Sequence, residues 1–154
     1  MLLELHNVTI GQQILGLSAT ACEGKVLCIK GSQGSGKTML LRAILGFQPI
    51  DKGHISIDGE LLTPLSAPYF RRQMAYVPQE LTVPEDYVEV PTDYVQMVQR
   101  AVRSGKQILI VDEPRKALSA ENVELVDSLI GEAVGRGATV VAVNSRFIQN
   151  LVQL

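Results

Sequence analysis

The chain has 154 residues, of which 46% are hydrophobic and 19% charged. That balance supports one packed core and excludes a disordered chain. With 14 basic and 16 acidic residues the net charge is −2, which excludes the dense positive footprint of a nucleic-acid binder.

The predicted elements alternate between strand and helix. Residues 2–10 and 14–20 read as two strands of mixed polarity, and 25–30 (KVLCIK) as a compact apolar strand that runs into a glycine-rich loop. Residues 38–45 have helical spacing. Residues 54–57 form a short strand that leads into an Asp58-Gly59 turn, and 74–77 form another. A helix is expected over 92–104, with Tyr94, Val98, Ala101 and Val102 on one face. The apolar strand 107–111 closes on Asp112-Glu113-Pro114. A helix over 120–134 turns Val126, Leu129, Ile130, Ala133 and Val134 inward, and a buried strand follows at 139–143. The pattern of 146–154 reads as a final short helix. Continuous apolar strands between helices imply an α/β fold, with a mainly parallel sheet covered on both faces and an antiparallel β part at the N-terminus.

The longest apolar runs, at 108–111 and 140–143, fall far short of the roughly 20 residues that span a membrane. The first ten residues show neither the basic segment nor the cleavage site of a secretory leader. A cytoplasmic location is therefore expected. Cys22 and Cys28 lack metal-ligand spacing and read as two buried free thiols. His6 and His54 fall in predicted strands and read as structural.

The residues Gly31, Ser32, Gln33, Gly34, Ser35, Gly36, Lys37 and Thr38 spell G-x-x-x-x-G-K-[ST] between an apolar strand and an amphipathic helix. Glycines let backbone N–H groups turn toward a phosphate without Cβ clashes, and the following helix adds its positive end. Lys37 should reach the β- and γ-phosphates of a nucleotide, and Thr38 should offer its hydroxyl to Mg²⁺. A nucleotide site of this kind also needs an acid to position the metal and a base to activate water. Asp112 and Glu113, at the end of a buried strand, supply both, with Asp112 for the metal and Glu113 as base.

Together these residues resemble the nucleotide-binding domain of ABC transporters, a P-loop NTPase, along nearly the whole chain. Residues 46–59 (GFQPIDKGHISIDG) are similar to the family's stretch after the phosphate loop. Residues 71–80 (RRQMAYVPQE) are similar to the segment that ends in its Q-loop glutamine, and 99–114 to the helix and strand before its acid motif. The resemblance implies ATP and Mg²⁺ as cofactors, and a catalytic and metal-contacting role for Gln79. It also implies a second ATP-binding subunit, or a second copy of this chain, as partner, with an integral membrane subunit beyond it at the cytoplasmic face of the membrane.

The sequence departs from the family where two subunits would meet. Counting back from Asp112, the LSGGQ signature falls on Val88-Glu89-Val90-Pro91-Thr92. There Glu89 would repel phosphate and Pro91 has no N–H. Only residues 80–87 stand between Gln79 and that segment, so the single domain expected over 1–154 has its helical subdomain shortened around 80–92. The stretch Thr9–Gln13 (TIGQQ) carries no ring for adenine, a contact worth roughly 1–3 kcal/mol. Ser119 replaces the aspartate of the family's SALD loop and reads as a helix cap. Asn144-Ser145-Arg146 stands where a switch histidine is expected.

Two readings follow. One is an ABC-type ATPase subunit whose hydrolysis is slow or depends on a partner that supplies the signature. The alternative is a regulatory or assembly module that binds ATP or ADP without hydrolysing it. A P-loop kinase would use an arginine-bearing lid, for which Arg71-Arg72 and Arg100/Arg103 are candidates, but the segment from Tyr76 to Glu80 and the acid motif fit the ABC pattern better.

Overall fold

A computed structural model describes residues 1–79, 93–145 and 150–154. Two sheets organise the chain. The first is antiparallel, with strand order β2-β1-β4-β5. It is built from β1 (Leu3–Ile10), β2 (Ile14–Ala21), β4 (Lys52–Ile57) and the two-residue β5 (Glu60–Leu61). The second is parallel, with order β6-β7-β8-β3-β9. Its strands are β3 (Val26–Lys30), β6 (Met74–Val77), β7 (Ile108–Val111), β8 (Thr139–Val143) and β9 (Asn150–Gln153).

Residue alternation sorts the parallel sheet between two cores. Leu27, Ile29, Ile108, Ile110, Val141 and Val143 face the antiparallel sheet and α1 (Lys37–Leu45). Val26, Leu109, Val111, Val140 and Ala142 face α3 (Tyr94–Arg103) and α4 (Ala120–Gly135). β7 and β8 are buried at every position, as expected for strands covered on both faces. α3 buries Val98, Ala101 and Val102, and α4 buries Val126, Ile130 and Ala133, the faces anticipated from their spacing. Side-chain caps begin both helices. Asp93 accepts from Gln96 N–H at 2.8 Å, and Ser119 accepts from Asn122 N–H at 3.2 Å.

Three expectations change. The helix expected over 146–154 is contradicted at its C-terminal half: β9 pairs with β3 as a parallel edge strand, Ile29 opposite Val152. The apolar spacing there mimics a helical turn, but the open edge of β3 lets Val152 enter the first core. The five-residue helix α2 (Ala67–Arg71) was not anticipated; it is too short for a periodic signal and carries Pro68 in its first turn. Of the two free cysteines Cys28 is buried, whereas Cys22 is partly exposed. His6 and His54 stack across β1 and β4, with centroids 4.5 Å apart. Among the described residues no helix is long and apolar enough to cross a membrane.

Candidate active site

β3 ends at Lys30, and the loop from Gly31 to Gly36 turns the chain into α1. Gly36 makes that turn at φ 96, a left-handed conformation in which a side chain would be strained. α1 then starts with the Leu40 N–H donating to Gly36 O at 2.9 Å. The Ser35 hydroxyl is buried without a hydrogen-bond partner.

Lys37 opens α1 and is only 7% exposed. Its Nζ donates to Gly31 O at 2.5 Å and lies 3.1 Å from Glu113 Oε1. One residue on, the Thr38 hydroxyl donates to Asp112 Oδ2 at 2.8 Å. Asp112 follows the last residue of β7 and is fully buried. Its N–H donates to Val77 O at 2.9 Å, which ties it to β6, and its Oδ1 accepts from Glu113 N–H at 2.8 Å. Burial pushes the Asp112 carboxyl above its ordinary range, and the hydrogen bonds from Thr38 and the Glu113 backbone oppose that rise.

Glu113 stands at the mouth of the site with both oxygens engaged. Oε1 pairs with Lys37, and Oε2 accepts from Asn144 Nδ2 at 2.6 Å. Asn144 follows β8 in the left-handed region, at φ 51, and its N–H donates to Ile29 O at 2.8 Å. Behind the acids, the Tyr94 hydroxyl donates to the Asp112 carbonyl. Burial, with the Asp112 and Glu113 charges, pushes that hydroxyl's pKa upward. From the sequence Tyr94 reads only as a core residue and Asn144 only as a departure from the family's pattern. Neither contact has a local signal: one needs the start of α3 to meet the end of β7, the other needs the ends of β7 and β8 to meet, and both happen only in the folded chain.

A cavity of about 310 Å³ brings together Gln33, Gly34, Gly36, Lys37, Thr38, Gln79 and Glu113 from among the predicted site residues, with Gln13 and Met39 completing its walls. Gly31, Ser32, Ser35 and Asp112 do not line it. Asp112 lies beneath, covered by Thr38. Gln79 follows β6 and is half-buried, and its carbonyl accepts from Arg115 N–H at 3.4 Å. A larger cavity of about 390 Å³ lies on the other side of Glu113 and Asn144, with largely apolar walls such as Val111, Leu118 and Val126. It has no lysine and no glycine-rich loop, so the chemistry belongs to the smaller one. The expected positions of the signature (Val88–Thr92), of the shortened subdomain and of Arg146 lie outside the described residues.

Oxygen donors are present for a divalent cation, in the Thr38 hydroxyl and the buried Asp112 carboxylate. Among the described residues no group of three or more His, Cys, Asp or Glu gathers to hold a metal alone. The two oxygens that are present, from Thr38 and Asp112, fit Mg²⁺, which takes one or two protein ligands and completes its shell with water and phosphate.

The ABC transporter family model matches residues 14–90, half of the chain. The manganese transport system ATP-binding protein MntB of Bacillus subtilis is 35% identical over 74% of this chain and 43% of its own length. The Fe(3+) ions import ATP-binding protein FbpC 2 of Pectobacterium atrosepticum is 39% identical over 51% of this chain and 25% of its own. The arabinose import ATP-binding protein AraG of Rhizobium etli is 28% identical over 94% of this chain, but the match extends over 196 positions and so includes residues that this chain lacks. This chain spans less than half the length of these relatives. The fold is shared with an ATP-binding subunit of an ABC transporter, at TM-score 0.82 and 18% identity over 100% of this chain and 86% of that one. It is shared too with an ATP-binding cassette in a dimeric post-hydrolysis state with ADP and Pi, at TM-score 0.80 and 20% identity over 99% of this chain and 94% of that one. Sequence match and architecture agree, and the chain belongs to the ABC transporter family, on the side of its ATP-binding proteins.

Proposed function

We propose that this chain is an ATP-binding subunit of ABC type, which takes Mg·ATP on Gly31–Thr38 and hydrolyses it only together with a partner that supplies the missing signature. The observation that carries this is the convergence of Lys37, Thr38, Gln79 and Glu113 on one cavity above the buried Asp112.

In this reading the loop N–H groups and the end of α1 hold the β-phosphate. Lys37 exchanges its contact with Glu113 for the phosphate oxygens. Thr38 and Asp112 hold Mg²⁺, which when bound neutralises charge on the phosphates, and Gln79 orders water beside it. Glu113, with Oε2 kept on Asn144, turns Oε1 toward the attacking water and takes its proton. The partner is a second ATP-binding chain or a second copy of this one. An integral membrane subunit would place the pair at the cytoplasmic face of a membrane.

A thermal-shift titration tests binding. Mg·ATP at about a hundred times its Kd should stabilise the fold by about 2.7 kcal/mol, and Lys37→Ala should remove the shift. No shift at millimolar nucleotide refutes the reading. A second reading, binding without hydrolysis, is favoured by Ser145 at the histidine position and by the residues at 88–92. Phosphate release that disappears in Glu113→Gln rejects it.

A further inference from the structure

The chain has two histidines in 154 residues, and the fold sets them face to face. His6 on β1 and His54 on β4 are direct cross-strand partners, next to the pairs Leu5–Ile55 and Glu4–Ser56. Their rings stack at 26° with centroids 4.5 Å apart. Leu3, Leu5, Ile55 and Ile57 turn the other face of both strands into the first core, so the two imidazoles stand on the outer face of an anchored backbone. His54 is exposed, and the His6 side chain is 41% exposed.

The backbone beside the pair is irregular. The register between β1 and β4 shifts just after His6. The neighbours Asn7 and Gly53 hold left-handed conformations, at φ 49 and φ 80. Such a bulge re-aims the side chains next to it, at a cost in strain that a regular strand pair does not carry. Glu4 adds a third group, with its Oε2 3.3 Å from His6 Nε2. A proton on Nε2 is held by that carboxylate, which leaves Nδ1 with its lone pair free. A carboxylate behind the ring is how metal-ligating histidines are oriented and made more basic.

We propose that His6 and His54 form a surface chelate for a divalent transition-metal cation such as Zn²⁺ or Ni²⁺, with Glu4 orienting His6. Imidazole nitrogen selects these cations over Mg²⁺ and Ca²⁺, which prefer oxygen. Among the described residues no group of three His, Cys, Asp or Glu gathers to enclose a cation. The chelate therefore has two protein ligands, and water completes the shell. On binding, the stacked rings tilt until one nitrogen of each faces the cation, which then clips β1 to β4. None of the three residues lines the phosphate cavity, and the inference does not rest on the nucleotide reading.

The test is calorimetric titration of the whole, metal-stripped chain with Zn²⁺ and with Ni²⁺ in the absence of nucleotide. Each should bind at one cation per chain and raise the melting temperature by mass action. Glu4→Gln should weaken binding by roughly 10–100-fold, the cost of losing an orienting carboxylate, and His6→Asn or His54→Asn should cost no less. Acidification should release the metal, because protons compete for the same nitrogens. Asp112→Asn and Cys22→Ser should leave binding unchanged, which separates the pair from the acid under the phosphate cavity and from the partly exposed thiol. A readout that needs no variant is carbethoxylation by diethyl pyrocarbonate, from which saturating Zn²⁺ should protect both histidines. Binding that persists when both histidines are replaced by asparagine overturns the proposal, as do rings that stay fully reactive in saturating Zn²⁺. So does the lack of any Zn²⁺ or Ni²⁺ binding at millimolar concentration.

Discussion

Burial holds the Asp112 carboxyl above its ordinary pKa of 3.8, against the pull of the Thr38 and Glu113 N–H hydrogen bonds. The ionised form is therefore a burden on the empty fold, kept for the cation it would serve. Asp112→Asn should relieve it. Asn Oδ1 can keep the Glu113 N–H, and the Thr38 hydroxyl can turn round to accept from the new NH₂. In the absence of nucleotide the thermal midpoint should rise. The sign with pH follows from a raised folded-state pKa. The gain is full above that pKa, fades as pH falls through it, and vanishes below 3.8, where the wild-type carboxyl is neutral folded or unfolded. Melting curves from pH 4 to 8 check this, and a lower midpoint for the variant at neutral pH refutes it.

At the scale of elements, the sequence was informative where a residue type has one physical use. The phosphate loop, the strand into Asp112 and the inward faces of α3 and α4 are written in local spacing. β9 and the Tyr94 and Asn144 contacts are not, because they depend on which strand edge is open and which strand ends meet. Gly53 is a case where the local reading needs the partner strand. It holds φ 80 at the irregularity between β1 and β4, and a Cβ there would come within 2.3 Å of the His6 carbonyl and nearer still to that of Asn7. Backbone atoms cannot yield as a flexible side chain can. Gly53→Ala should therefore destabilise by about 3 kcal/mol or more, well beyond an ordinary surface change. Ser119→Ala removes only the cap of α4 and should cost about 1 kcal/mol. Urea denaturation of the two variants checks the order, which fails if Ser119→Ala is the more damaging.

At the scale of the whole molecule, the proposed function gives this chain one half of a composite ATPase site. Its own face gathers Lys37, Thr38, Gln79 and Glu113 on one cavity, with Asp112 buried beneath Thr38. The resemblance places the face that would cover a neighbour's phosphates at 88–92, where the sequence offers Glu89 and Pro91 instead of glycines and serine. The match to AraG over 196 positions shows that a relative has residues within the aligned stretch that this chain does not. Two copies of this chain would bring together two phosphate loops and no signature. Binding and turnover should therefore separate in the isolated protein: Mg·ATP raises the melting temperature, while phosphate release stays near the uncatalysed background and Glu113→Gln changes it little. The reason is charge. A carboxylate such as Glu89 opposite a γ-phosphate adds repulsion where the transition state needs donors, and loss of even one such donor lowers rate by roughly 10²–10³-fold. Steady phosphate release at the rate of an intact cassette, abolished by Glu113→Gln, would mean that this chain completes its site by another route, and the search for a signature-bearing partner would lose its basis.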